Sequence, residues 1–509
     1  MVVTTMAVLE TLAWSVLAST KYFVLITVFG IAHPDQVPAE TYRQWSSPSK
    51  YGPVFQVQLG NTTAVVINSA RAAKQLFLGQ SHAMNSRPRF YVFHGKVSRA
   101  VTSIGTSPWD ESCKRRRKLA AGALNRTRVD SYAPILNLEA REFLRDLLLA
   151  SCGDGDGVEI DFRPAIQRFA LNLSLTLNYG TRVSSVKSLV DDPLLSEIVY
   201  VEGEISKLRD TGKNYANYIP LLRYWEPVAN FLGLSAQPKD HAADIGRRRL
   251  EYNNMLLERL REEVKRGNDK PCIQGAVLRD PESASLTKEE LISVSLSMMA
   301  GADSNQPTLS WACLLLAHRP DIQEKAYAAI KEAGVLDLPS NAYASTKVDY
   351  IDALTKEISR YFVLLKLALP KATYTDVNWE GATIPAGTLV FLNSWACNRD
   401  PELFTEPNTF APERWLPNSS STYAHQYAFG IGGRMCVASH LAHNALYTVF
   451  LHLIAKFRIL PAEGETAEAI DPIAGLKGKS FVSSPRGWRA RFIPREGDKI
   501  NAWLENRDS

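Results

Sequence analysis

Phe429-Gly-Ile-Gly-Gly-Arg-Met-Cys-Val-Ala438 is the stretch on which the reading of this chain turns. One cysteine, Cys436, stands on a glycine-rich turn that leads straight into an apolar-periodic segment. Leu441, Ala445, Val449 and Leu453, with Ala442, Leu446, Phe450 and Ile454, recur every four positions and predict a helix with one buried side. Cys436 then lies near the helix N-terminus, where free backbone N–H groups and the positive end of the dipole favour a sulfur anion. The expectation is a thiolate that binds metal rather than a protonated thiol. Gly430, Gly432 and Gly433 allow a tight turn and a close approach of backbone to a flat ligand. Phe429 is placed to wall the sulfur from water, and Arg434 offers a guanidinium fork that suits a carboxylate.

Other readings of the stretch explain less of it. Cys436, His440 and His443 form C-x3-H-x2-H, a pattern that could present three zinc ligands on one side of a helix. A fourth ligand is missing nearby, and zinc gives no reason for the phenylalanine, the glycines or the arginine. A buried inert cysteine needs no such turn, and the glycines do not follow the G-x-G-x-x-G dinucleotide fingerprint. The stretch resembles the cysteine loop of the cytochrome P450 haem-thiolate monooxygenases, F-x-x-G-x-R-x-C-x-G/A, filled here by Phe429, Gly432, Arg434, Cys436 and Ala438. The resemblance implies haem b with Cys436 as thiolate ligand to the iron and Arg434 toward a propionate. It also implies a mainly α fold with a small β region (α+β), its helical bulk surrounding a buried haem.

Three further stretches occur in the family's order. Glu357 and Arg360 are an i, i+3 pair, which on a helix would alone be a solvated salt bridge of a few tenths of a kcal/mol. Followed by Ala411-Pro-Glu-Arg-Trp415, which contains Arg414, the pair resembles the family's Glu-Arg-Arg triad. The resemblance gives these three the structural task of holding the cysteine loop.

The second stretch opens with a capping box, Thr287-Lys-Glu-Glu290, and predicts a long helix up to Pro320, which can start the next one. Its middle, Ala300-Gly-Ala-Asp-Ser304, sets small residues beside an acid and a hydroxyl. Such a patch also suits a close helix crossing, but Gly301 and Pro307 weaken the hydrogen-bond ladder locally. It resembles the family's A/G-G-x-D/E-T segment, which crosses the distal haem face, leaves room for dioxygen and relays protons. Asp303 and Ser304 are therefore the expected catalytic residues. Ser304 stands where threonine is usual, keeping the O–H without the methyl that restricts χ1.

The third stretch is Trp109 followed by Lys114, Arg115, Arg116, Arg117 and Lys118. A basic run is commonly a solvated face, and a nucleic-acid surface would need more than this. The chain carries only +5 net charge, and no aromatic-rich basic surface accompanies the run, so nucleic acid is not expected. The family's W-x-x-x-R helix contacts a propionate and helps dock a flavin reductase. Cys113 holds the expected arginine position, which leaves Arg115 or Arg116 as the propionate partner.

With 509 residues and 45% hydrophobic content the chain can bury a large core, and the motifs interleave one fold from Trp109 to Cys436. The expected organisation is a membrane anchor in 1–33 and a single catalytic domain in 34–509. Residues 6–32 are mostly apolar, but Glu10 and Lys21 leave 22–32 as the longest uninterrupted run, short of the roughly 20 residues that span a bilayer. A tilted or interrupted anchor, without the basic region and cleavage site of a removed signal peptide, is the expectation. Six scattered cysteines indicate a reducing compartment, so the N-x-S/T sequences at Asn61, Asn125, Asn172 and Asn418 are expected to be chance matches. The resemblance then implies the endoplasmic reticulum membrane, a domain facing the cytosol, and NADPH-cytochrome P450 reductase as electron donor.

The remaining chain reads mostly as helix. Lys50-Tyr-Gly-Pro-Val-Phe to Asn68 alternates and turns at Leu59-Gly-Asn61 like a hairpin, and Asn378 to Asn393 is expected to do the same around Pro385 and Gly387. Residues 266–287 read as a surface loop, and 461–485 as irregular.

Within the family the chain resembles fungal phenylacetate hydroxylases, in strings such as Ile104-Gly-Thr-Ser-Pro-Trp109 and Gly381-Ala-Thr-Ile-Pro-Ala-Gly-Thr388. These lie in scaffold regions. After Arg360 the chain departs: it lacks a proline near the turn, and Lys371 stands where arginine commonly meets a propionate. Leu364, Leu365 and Leu367 there suggest more apolar surface and a ligand bulkier than phenylacetate. The implied function is insertion of one atom of O2 into an aromatic small molecule of fungal specialised metabolism. The alternatives are a phenylacetate-type ring hydroxylase of aromatic catabolism, an O2-independent haem-thiolate isomerase, or a haem sensor.

Overall fold

The computed structural model describes residues 37–47, 49–151, 157–210, 212, 214–224, 240–337, 346–417, 425–478, 481–496 and 500. The expected anchor in 1–33 and Asn418 lie outside these, as does the side chain of Asp303 within its helix. Among the described residues no helix is long and apolar enough to cross a membrane.

Six helices position the site: α1 (Glu111–Ala123), α2 (Ala133–Ser151), α3 (Arg163–Tyr179), α4 (Lys288–His318), α5 (Asp349–Phe362) and α6 (Ser439–Lys456). α4 packs against α3, and α6 against α2 and α5. α4 begins where its sequence predicts: Thr287 accepts from the Glu290 N–H while the Glu290 carboxylate accepts from the Thr287 N–H. It runs unbroken through Gly301 and Pro307. α3 is buried around its whole circumference and ends at Gly180 in the left-handed conformation, φ 69°. α6 differs from its expected amphipathic form. Every residue from Ala445 to Lys456 is buried, so only its first turns have a free side.

The β region is small. β1 (Val54–Leu59) pairs antiparallel with β2 (Thr62–Ile67) through the expected turn at Gly60-Asn61. The other expected hairpin is displaced. β3 (Val377–Trp379) and β4 (Ala382–Ile384) turn at Glu380-Gly381, with φ 49° and 84°. Two positive φ values give a turn twist that matches the strands, which the Pro385–Gly387 bend does not supply. That bend instead releases β5 (Leu389–Leu392), which lies parallel to β2 and antiparallel to Lys371-Ala372. The expected loop in 266–287 also contains structure, a helix at Ile273–Arg279 that buries Ile273 and Val277 in the main core. Asn172 is fully buried and bonds Glu139 and the Val183 carbonyl, closed to glycosylation.

Candidate functional site

One cavity of about 320 Å³ lies among α3, α4, the end of α5 and the start of α6, in the range of small-molecule sites, roughly 300–1,000 Å³. Cys436 and Ser304 both line it, as do Phe429, Arg434 and Lys371.

The cysteine turn is held by its own backbone: the Cys436 N–H donates to the Phe429 carbonyl at 3.0 Å, and the Met435 N–H to Gly432 at 2.9 Å. Gly432 cannot be replaced cheaply, since φ is 75° and a Cβ would meet the Phe77 carbonyl oxygen at 2.5 Å. The sulfur faces the cavity, but the surrounding protein pushes the Cys436 thiol up in pKa, against weaker opposition from the Ala438 N–H and Arg117. The Ala438 N–H at the start of α6 acts in the direction the helix-dipole expectation gives, toward the thiolate. His443 Nε2 donates to Asp352 Oδ1 at 2.7 Å and ties α6 to α5.

Behind this turn Glu357, Arg360 and Arg414 come together. Arg360 and Glu357 are both fully buried and bidentate, at 2.8 and 2.7 Å. Arg414 reaches Glu357 at 3.2 Å, and the Trp415 indole and Ala411 N–H also donate to it. Arg360 spends its remaining donors on the carbonyls of Asn398, Pro407 and Thr409. Asn398 carries the network onward, accepting from the Tyr427 N–H at 2.7 Å, two residues before Phe429.

Among the cations that line the cavity, Arg87, Arg117, Lys371 and Arg434 act on one another's charge. Burial, then mutual repulsion, pushes Arg87 and Lys371 well down in pKa. Burial takes Arg434 to about 10. Arg434 spends its terminal nitrogens on the carbonyls of Asn85, Ile104, Gly105 and Ser107, so the fork expected for a propionate is already engaged. Its Nε and that of Arg87 are buried without a partner. Lys371 donates to the Ile431 carbonyl at 3.0 Å and sits 3.8 Å over the Phe77 ring. Arg117 donates to Gly433 and Met435. Among the described lining residues no aspartate or glutamate balances these charges.

Arg115 and Arg116 do not line this cavity. Arg115 is exposed and paired with Glu290, while Arg116 is buried against the Ser293 and Ser107 hydroxyls and the Thr102 carbonyl. Trp109 lies under Arg434, whose guanidinium carbon is 5.7 Å from the ring. Arg117 and Arg87 take the place by the cavity, and sequence reasoning missed both. α1 buries Cys113 and Arg116, and position 117, one turn beyond Cys113, looks toward the cysteine turn. Arg87 carries no local signal.

On the α4 wall, Ser304 donates to the Gly301 carbonyl at 3.1 Å, and Thr308 to Ser304 O at 2.8 Å. Gly301 and Asn305 also face the cavity. From the segment after α5, Leu364 and Leu365 line it, but Leu367 does not and packs beside Trp395. The missing proline has a substitute: Lys366 donates to the Phe362 and Val363 carbonyls and caps α5. Val363 leaves the helix at φ 42°, a strained value for a β-branched residue.

Comparison with known proteins agrees with this arrangement. The cytochrome P450 family model matches residues 21–483, and the chain belongs to that family. It is 43% identical to 3-hydroxyphenylacetate 6-hydroxylase of Emericella nidulans, over 90% of this chain and 85% of the relative. It is 38% identical to phenylacetate 2-hydroxylase of the same organism, over 92% and 88%, and 38% identical to a cytochrome P450 monooxygenase of Mycosarcoma maydis, over 92% and 85%. The chain is thus a haem-thiolate monooxygenase, using O2, an organic substrate and a redox partner. The cavity suits the prosthetic group: apolar walls, one facing sulfur, and a cationic edge whose orphaned nitrogens can receive two propionates.

Proposed function

We propose that this protein oxidises an aromatic substrate held over a haem whose iron is bound by Cys436. The observation that carries the reading is that Cys436 and the Gly301–Ser304 wall share one largely apolar cavity. When bound, the haem supplies reductive activation of O2. The chain's own tasks are then three. Glu357, Arg360 and Arg414 fix the cysteine turn through Asn398; Arg87, Arg117, Lys371 and Arg434 receive the propionates; Ser304 passes protons inward, with Asp303 as the acid of that relay. Ser304 Oγ now donates to Gly301, and rotation about χ1, unrestricted by a methyl, frees it to donate into the cavity.

The aromatic assignment rests on the two relatives, whose names describe hydroxylation of phenylacetate and 3-hydroxyphenylacetate. Electrons come from NADPH-cytochrome P450 reductase, and the apolar residues 6–32 hold the domain at the endoplasmic reticulum membrane, facing the cytosol. The test is a ferrous carbon-monoxide spectrum followed by product analysis under 18O-labelled dioxygen. A thiolate-type band and one labelled atom in an aromatic product are expected. Unlabelled rearranged product would make the protein an isomerase.

A further inference from the structure

α3 carries a hydroxyl that the fold leaves unanswered at the edge of the cavity. From Asn172 to Asn178 its polar side chains alternate with leucines, and all are buried. Asn172 bonds Glu139 and the Val183 carbonyl, Thr176 donates to the Thr181 carbonyl at 3.2 Å, and Asn178 donates to the Ser295 carbonyl at 3.4 Å. Ser174 has no hydrogen-bond partner among the described residues, although it is only 6% exposed and lines the cavity. A buried helical hydroxyl can be spent on a carbonyl one turn back, as those of Thr308 and Ser310 are on α4. That of Ser174 is not.

Across from Ser174 is Gly301. α3 and α4 run in opposite directions here, Ser174 against Gly301 and Asn178 against Ser295. A Cβ at position 301 would lie 3.9 Å from Ser174 Oγ, an ordinary contact, so no clash with α3 requires the glycine. What the glycine leaves is room, in the same cavity that Ser304 lines. The seam between the two helices holds a further unanswered oxygen, Asn178 Oδ1, fully buried and without a partner. Burying a hydroxyl or an amide oxygen unpaired is costly, and a water with two or more polar partners removes that cost.

Resting on the reading of Ser304 as proton donor, we propose that Ser174 is a positioning residue: it holds a water in the gap at Gly301, and this water supplies Ser304. Ser304 turns its hydroxyl from the Gly301 carbonyl toward the cavity and gives its proton to the oxygen being reduced. It takes a proton back from the water, and the water takes one from solvent along the α3–α4 seam. One proton thus crosses per step, the serine and the water end with the protons they began with, and the electrons are those the redox partner delivers. Proton entry runs between two helices, and Gly301 serves it by having no side chain.

The experiment is a high-resolution crystal structure of the haem-loaded full chain, together with product and peroxide formed per NADPH, using phenylacetate and 3-hydroxyphenylacetate as probes. Solvent density bonded to Ser174 Oγ in the gap at Gly301 is expected, and its loss in Ser174→Ala. Ser174→Ala should lower product per NADPH about 5-fold, less than a fully positioned proton transfer contributes, with the carbon-monoxide band and the spectral Kd unchanged. Ser174→Thr keeps the O–H and should restore coupling. Gly301→Ala is the second variant, one that favours the helix: its methyl should displace the water and uncouple to the same extent with Ser174 in place. Absence of solvent density on Ser174 Oγ overturns the site. Density with wild-type coupling in Ser174→Ala overturns the supply to Ser304. If Ser304→Ala is fully coupled as well, the relay reading itself falls; if Ser304→Ala alone uncouples, only Ser174 does. Should wild type turn over neither probe, the density alone decides Ser174.

Discussion

Around Glu357 every carboxylate oxygen is engaged: Arg360 on both, Arg414 and the Ala411 N–H on one, the Trp415 indole on the other. Across the cavity, the Ser304 hydroxyl has one local bond to a carbonyl three residues away, in a helix that carries both Gly301 and Pro307. The first region is over-determined, and removing Glu357 or Arg360 strands a buried charge. The second is under-determined, with a donor free to change partner. One holds a ligand still, the other must let a proton move, and the two kinds of construction should fail differently when broken.

The largest effect falls on the cysteine itself. Cys436→Ser is expected to abolish the thiolate-type carbon-monoxide band entirely, and an intact band would remove Cys436 from the iron. Next comes Glu357→Ala. It leaves Arg360 buried without its counter-ion, which should cost about 3–5 kcal/mol and give haem-free or aggregated protein. A soluble, haem-replete variant would show that the carbonyls of Asn398, Pro407 and Thr409 suffice to neutralise Arg360.

Ser304→Ala should leave folding and haem content untouched and strike only coupling, diverting reducing equivalents to peroxide. About a tenfold fall in product per NADPH is expected, smaller than the roughly 10²–10⁴-fold that a fully positioned proton transfer contributes. Ser304→Thr sharpens the contrast, because a methyl restricts χ1 and should raise coupling if loose positioning limits the wild type. Identical coupling in all three forms would place the relay elsewhere.

What the sequence made legible follows the same division. The cysteine turn, the capping box and the Glu357–Arg360 pair are local patterns, with physics complete within a few residues. Arg87 and Arg117 had no such signal, for their role depends on which distant segments fold around one cavity. The hairpin at Glu380-Gly381 was masked by a stronger turn signal at Pro385–Gly387, although only the former has the φ signs a two-residue hairpin needs. Leu367 was read as ligand surface, but it packs beside Trp395 and does not line the cavity.

The smallest effect is expected on α1, where the structure tempers the sequence. The basic run suggests a strong field for recruiting a reductase, yet its charges are largely answered at the surface. Lys114 meets Glu111 at 2.6 Å, Lys118 meets Glu282 at 2.6 Å, Arg115 meets Glu290 at 3.1 Å, and Arg116 is buried. Only the residual field can steer a partner, and salt screens it over about 10 Å at 0.1 M. Lys114→Glu with Lys118→Glu should therefore slow reduction by the reductase only about 3-fold at low salt and flatten its salt dependence, while peroxide-driven turnover stays unchanged. Equal losses in both assays would mean that the change travels along α1 to Arg117 and the carbonyls of the cysteine turn it holds, joining this helix to the over-determined region rather than to a docking face.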